Sequence, residues 1–214
     1  MNFKTIIAAC LLVAGMATSS SAATMGTIPD GAVNEGLEEI YGAGTISRTG
    51  YYGANLQANF DTELLIEYLG SEAGFDNSFY FAGVELFSTG GNTNTFDNTG
   101  IASTTVNVTA GLLDFLFRSP LGDAVNGSNP DDAGGAASLP NFFVSFQVAT
   151  ATSGNSLILW FDDDGAGDDD NHDDMVIRIT ALNGEISLVP LPAAGFLLLG
   201  GLGGLAALKR RKKA

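Results

Sequence analysis

Cysteine is almost missing from this chain of 214 residues. Cys10 is the only one, and it sits in an apolar run near the N-terminus. One thiol makes no intramolecular disulfide. If the N-terminal segment is removed, a cysteine nucleophile or thiolate metal site goes with it. Histidine is as scarce, since His172 stands alone, and structural zinc needs more His or Cys than that. Basic residues are few where they would count most. Between Asp30 and Glu185 only Arg48, Arg118 and Arg178 face all 24 acidic residues, a net charge of −21. A surface this acidic repels nucleic acid and anionic membranes and attracts cations. Heptads, long amphipathic helical patterns and repeats of fixed period are also absent, so helical architectures have no support.

The two ends are unlike the middle. Lys4 precedes an apolar run from Ile6 to Met16, then small residues follow, and Ser21-Ala22-Ala23 fits a signal peptidase site with cleavage at Ala23. This predicts a secretory signal peptide over 1–23. At the other end no charge occurs from Leu191 to Leu208. As a helix that stretch spans roughly 27 Å, close to the thickness of a hydrocarbon core. Lys209 to Lys213 then form a basic end that stays in the cytoplasm by the positive-inside rule. Both ends place Thr24–Val189 outside the inner membrane.

The tail combines three features in order: Val189-Pro190-Leu191-Pro192-Ala193, a Gly/Leu-rich span and a terminal Arg/Lys cluster. In this it resembles the PEP-CTERM class of bacterial sorting tails, in the VPLPA form. The resemblance covers only positions 189–214. It implies an exosortase-type membrane peptidase as partner, cleavage near the tetrapeptide, and association with the envelope or extracellular polymer of a Gram-negative bacterium. It implies nothing about the activity of the domain at 24–188, because such tails end many unrelated proteins. A plain retained anchor is the alternative that hydropathy alone does not separate.

Within that domain, short runs rich in aromatic and β-branched residues alternate with Gly/Asn/Ser/Asp clusters. Strands are predicted at Thr45–Tyr52, Leu56–Phe60, Glu63–Leu69, Ser78–Ala82, Val84–Phe87, Thr104–Thr109, Leu112–Arg118, Phe142–Ala149, Leu157–Phe161, Met175–Ala181 and Glu185–Leu188. Phe142, Val144, Phe146 and Val148 share one face, and so do Met175, Ile177 and Ile179. The expected fold is all-β, an antiparallel β-sandwich of jelly-roll-like type, preceded by the signal peptide and followed by a transmembrane sorting helix. Val33–Tyr41 reads as a short helical turn. Ser88–Gly100 and Gly122–Pro140 read as long polar loops.

One stretch demands a physical account. Asp162–Asp174 contains eight aspartates in thirteen residues, and joins two predicted strands as neighbours in one sheet. Two carboxylates about 4 Å apart repel by roughly 1–4 kcal/mol at surface-like dielectrics. A hard divalent cation removes that cost, and calcium suits a flexible all-oxygen site better than magnesium. Counted as an EF-hand loop, Asp162, Asp164, Gly167, Asp168, Asp170 and Asp173 fall at the first, third, sixth, seventh, ninth and twelfth positions. Flanking helices and the bidentate Glu are missing, so the expectation is a calcium wrap on a β-scaffold. Its candidate ligands are Asp162, Asp164, Asp168, Asp170 and Asp173, and Gly165 and Gly167 supply the positive φ of a tight turn. A solvated acidic loop is the bland alternative. Glu72, Asp76 and Asn77 form a second, weaker candidate better read as a turn. His172, inside the acidic loop, is expected as an imidazolium and so as a poor ligand.

Catalysis finds little footing. No nucleophile elbow accompanies His172, and so many carboxylates select no glycosidase pair. Three functional readings remain: a non-catalytic envelope or matrix protein with a calcium-stabilised sandwich, a carbohydrate-binding module for exopolysaccharide, and a glycan hydrolase. The first is preferred. Tyr51, Tyr52 and Trp160 are the candidates for stacking on sugar, with core packing the expected role of Trp160.

Overall fold

The computed structural model describes residues 23–30, 33–91, 93–135, 137–165 and 171–189. The expected leader 1–22 and the tail from 190 onward, with Pro190, Leu191, Pro192 and Ala193, lie outside them. Among the described residues no helix is long and apolar enough to cross a membrane. Ala23, the predicted cleavage residue, is half-buried against the core just before the first strand.

The described residues form sixteen strands and one short helix, and every strand pairing is antiparallel. The all-β expectation therefore holds. The large sheet runs in the order β1 (Thr24–Ile28), β2 (Arg48–Tyr52), β12 (Asn141–Phe146), β14 (Ser156–Asp162), β15 (Met175–Ala181) and β4 (Thr62–Ala73). The far edge of β4 is shared by β8 (Ala102–Val108) along one half and β7 (Thr93–Phe96) along the other. Gly70 makes the second junction possible: a side chain there would collide with the Thr95 carbonyl, and its φ is +141°. A second sheet has the order β11 (Gly122–Val125), β10 (Phe115–Ser119), β5 (Ser78–Phe81) and β6 (Val84–Ser88). A third joins β13 (Ser153–Gly154), β16 (Ile186–Leu188), β3 (Leu56–Ala58) and β9 (Gly111–Leu112).

Period-two alternation sends the side chains of the large sheet into two separate cores. Leu157, Leu159 and Phe161 of β14, Met175, Ile177 and Ile179 of β15, and Phe142, Val144 and Phe146 of β12 face the small sheets. There they pack with Phe79, Phe115, Phe117 and Leu56. Phe117 stacks on Phe161 with ring centroids 4.7 Å apart. Ile158, Trp160, Val176 and Phe143 point the other way, toward Leu37 and Ile40 of helix α1 (Glu35–Tyr41). Burial of a side chain of this size contributes about 1.5–3 kcal/mol, so both faces matter to stability. Trp160 is fully buried and its Nε1–H donates to Ser145 Oγ at 2.9 Å.

The sequence reading differs from this structure in instructive places. Val148, expected on the inner face, lies past the end of β12 and is 66% exposed. The polar run Ser88–Gly100 contains β7, which pairs with the twelve-residue β4. Gly122–Pro140 is not a variable surface loop either. It begins as β11, and Asn126 and Asn129 then fasten it inward. Asn126 Nδ2 donates to the Leu56 and Leu113 carbonyls, and its Oδ1 accepts from Leu56 N–H. Asn129 Nδ2 donates to the Ala54 and Phe142 carbonyls while its Oδ1 accepts from Phe142 N–H. Asn55 Oδ1 accepts from the N–H groups of Gly127 and Asn129. All three asparagines are buried.

Candidate metal centre

Where β14 ends, its alternation continues in acid. Asp162 follows Trp160 on the helix face, and Asp163 follows Phe161 toward the second sheet. Both are buried, as are Asp132, Asp173 and His172. Asp164 is exposed at the turn and serves through its backbone: its N–H and that of Gly165 donate to Asp162 Oδ1 at 3.1 and 2.8 Å. Gly165 has φ +73°, and a side chain there would come within 2.7 Å of the Ala137 and Leu139 carbonyls. The aspartate loop is thus pressed against the segment before β12. Asp168 and Asp170 lie outside the described residues.

On the helix face, Asp132, Asp162 and His172 bring one ligand atom each within 4.8 Å of one another. Each comes from a different stretch of chain, so only the folded protein assembles the set. Ala137 N–H donates to Asp132 Oδ1. The His172 ring packs edge-on to Tyr52 and Phe143, at 5.6 and 6.2 Å between centroids. Its Nε2 lies 2.8 Å from Asn141 Oδ1. With the amide oxygen facing it, Nε2 is the nitrogen that donates in this pair. Burial pushes the imidazole pKa down to about 3. This corrects the expected imidazolium: charge counting along the chain could not see that the ring is fully buried beside two aromatic rings.

Toward the second sheet, Asn77 Nδ2 donates to Asp163 Oδ2 at 2.6 Å and Ser119 Oγ donates to the Asp163 carbonyl. Asp163 N–H donates to Asp174 Oδ2. Burial, with the neighbouring Asp163, Asp162 and Asp173 carboxylates, pushes the Asp174 pKa up to about 9. Of the weaker sequence candidate, Asn77 joins this end, whereas Asp76 caps a turn by accepting from Ser88 Oγ and Gly90 N–H. Asp173 Oδ2 accepts the first N–H of the helix, from Glu35, and Asn34 caps that helix while its Nδ2 donates to the Asn171 carbonyl.

The three arginines of the domain are occupied elsewhere. Arg48 donates to the Phe146 and Gln147 carbonyls and lies over the Tyr41 ring. Arg118 pairs with Asp123, and Arg178 with Glu67 at 2.7 Å. Buried ionised carboxylates cost several kcal/mol each unless a counter-charge is near.

Beside this end, a cleft of about 780 Å³ opens between α1 and β7 and shares Asn34 and Glu35 with it. Its lining is acidic, with Glu35, Glu38 and Glu39, and Phe96 is its aromatic wall. Tyr51, Tyr52 and Trp160, the sequence candidates for stacking on sugar, are all buried. No family model, curated protein or solved structure matches this chain.

Proposed function

We propose that this is a non-catalytic exported protein of the cell envelope or extracellular matrix, a jelly-roll-like β-sandwich whose acidic end is held closed by calcium. The observation that carries the reading is the crowding of the buried Asp162, Asp163 and Asp173 carboxylates around Asp174. A hard cation offsets charge gathered this densely, and calcium accepts the many oxygens that the Asp162–Asp174 stretch offers. The precursor is anchored in the inner membrane by its tail, and an exosortase-type peptidase acts near Val189–Ala193, releasing the domain to the envelope or its exopolysaccharide. The leader and tail motifs in the sequence support this routing.

Melting of the purified full chain tests the calcium clamp. At calcium ten times above the dissociation constant, stabilisation is about 1.4 kcal/mol, or roughly 3–6 °C. Millimolar calcium is needed if the site has the affinity of extracellular calcium modules. Sodium at matched ionic strength raising the melting point equally would reduce the loop to a screened acidic surface. For the sorting step, intact mass of envelope material from the host should lack Lys209–Ala214. A mature protein that runs to Ala214 would contradict processing.

A further inference from the structure

We propose that Asp132, Asp162 and His172 hold a second divalent ion, one that takes nitrogen as well as oxygen: zinc or manganese rather than calcium or magnesium. The site shares with the calcium reading the premise that the acidic end binds cations, but it assigns Asp162 to a different ion.

The donor set points this way first. Two carboxylates and one imidazole converge within 4.8 Å at full burial. Ligand atoms on one ion with bonds of about 2.0–2.2 Å lie roughly 3–4.4 Å apart, so little closure is needed. Calcium and magnesium are held by oxygen, whereas imidazole suits zinc and its first-row neighbours.

The supporting residues point the same way. A metal-binding imidazole commonly donates its other N–H to an oxygen, which fixes the tautomer and the ring plane. With Nδ1 as the ligand atom, Asn141 Oδ1 is that acceptor, 2.8 Å from Nε2, and Tyr52 and Phe143 hold the ring edge-on. The carboxylates are oriented in the same manner. Asp162 Oδ1 accepts from two backbone N–H groups, and Asp132 Oδ1 accepts from Ala137 N–H.

His172 itself adopts φ +61°, a region that a residue with a side chain seldom occupies. The backbone is bent where the imidazole meets the two carboxylates. The stretch after β11 is joined here to both ends of the aspartate loop, at the end of β14 and the approach to β15.

Dialysis of the full chain against zinc, manganese or cobalt, each with a hundredfold excess of calcium, followed by metal analysis, tests the assignment. One equivalent of zinc or manganese should survive the calcium, and bound cobalt should show the visible absorption of a site with nitrogen ligation. His172→Asn should weaken zinc binding at least tenfold while leaving the calcium-dependent rise in melting temperature in place. Asp132→Asn, nearly isosteric, should weaken zinc binding similarly and guards against a His172 variant that does not fold. Zinc or manganese displaced by calcium, or retained unchanged in the Asp132 variant, would overturn the proposal. If the calcium effect on melting is absent but zinc is retained, the clamp reading fails and the mixed-ligand site stands. If calcium raises the melting point but zinc is not retained, the clamp stands and the mixed-ligand site fails.

Discussion

Two buried polar clusters flank the segment between β11 and β12, and they are settled in opposite ways. Asn55, Asn126 and Asn129 are neutral, and each is matched to backbone N–H and carbonyl groups of the strands beside it. Asp132 and Asp162 converge with His172, and the Asp162, Asp163 and Asp173 carboxylates press on Asp174. The first cluster is complete within the chain. The second is oriented by backbone groups, while the arginines of the domain pair elsewhere. Neutral amides fasten this segment to the backbone of its neighbours, whereas the acidic end presses like charges together.

The largest effect should come from the neutral cluster. Asn126→Ala strands the Leu56 N–H and two carbonyls, at about 1–3 kcal/mol for each buried group left unmade. A loss of about 3 kcal/mol or more is expected in denaturant melts, equal in chelator and in millimolar calcium. A loss that calcium abolishes would erase the distinction between the clusters.

The second experiment reverses the sign. Asp163→Asn removes one of the charges pressing on Asp174, so the chelated protein should gain about 1 kcal/mol or more. The same change should shrink the calcium-dependent rise in melting temperature. Destabilisation in chelator would mean that the cluster is balanced without an ion.

Third, Arg178→Gln breaks a bidentate pair with Glu67 at the sheet surface, away from both clusters. A partly exposed pair of this kind contributes about 1 kcal/mol, and added salt should reduce the difference from wild type. Last, Asp164→Asn should change stability by no more than about 0.5 kcal/mol, because that residue is exposed and the change is nearly isosteric. A larger effect, specific to calcium, would return Asp164 to the ligand set that its spacing suggested.

The sheet was legible where alternation is strong. Met175–Ala181 was predicted with its observed bounds, and it neighbours the strand at Leu157–Phe161 in one sheet as expected. Thr93–Phe96 and Gly122–Val125 were not legible, because a Thr/Asn or Gly/Asp strand is chosen by the edge it completes rather than by its own side chains. The acidic end was half legible. Asp162 and Asp173 were expected there and are buried there, but Asp132 lies thirty positions before Asp162 and reads locally as a turn. Nothing in the local pattern reveals that Asn141 would face His172, or that the imidazole would pack against two aromatic rings.

The order of strands in the large sheet carries a kinetic consequence. β12, β14 and β15 follow one another as adjacent antiparallel neighbours, so they can zip locally. β2 cannot join them early, because Tyr51 finds its partner at Val144. Closing so long a stretch costs entropy before any ladder bond repays it, which places the protein among slow, topology-limited folders. The β1–β2 pair therefore waits, with the Tyr51 and Tyr52 rings uncovered, until position 146 has emerged. Any compartment that receives the chain N-terminus first must shield those two strands for most of the protein's synthesis or passage.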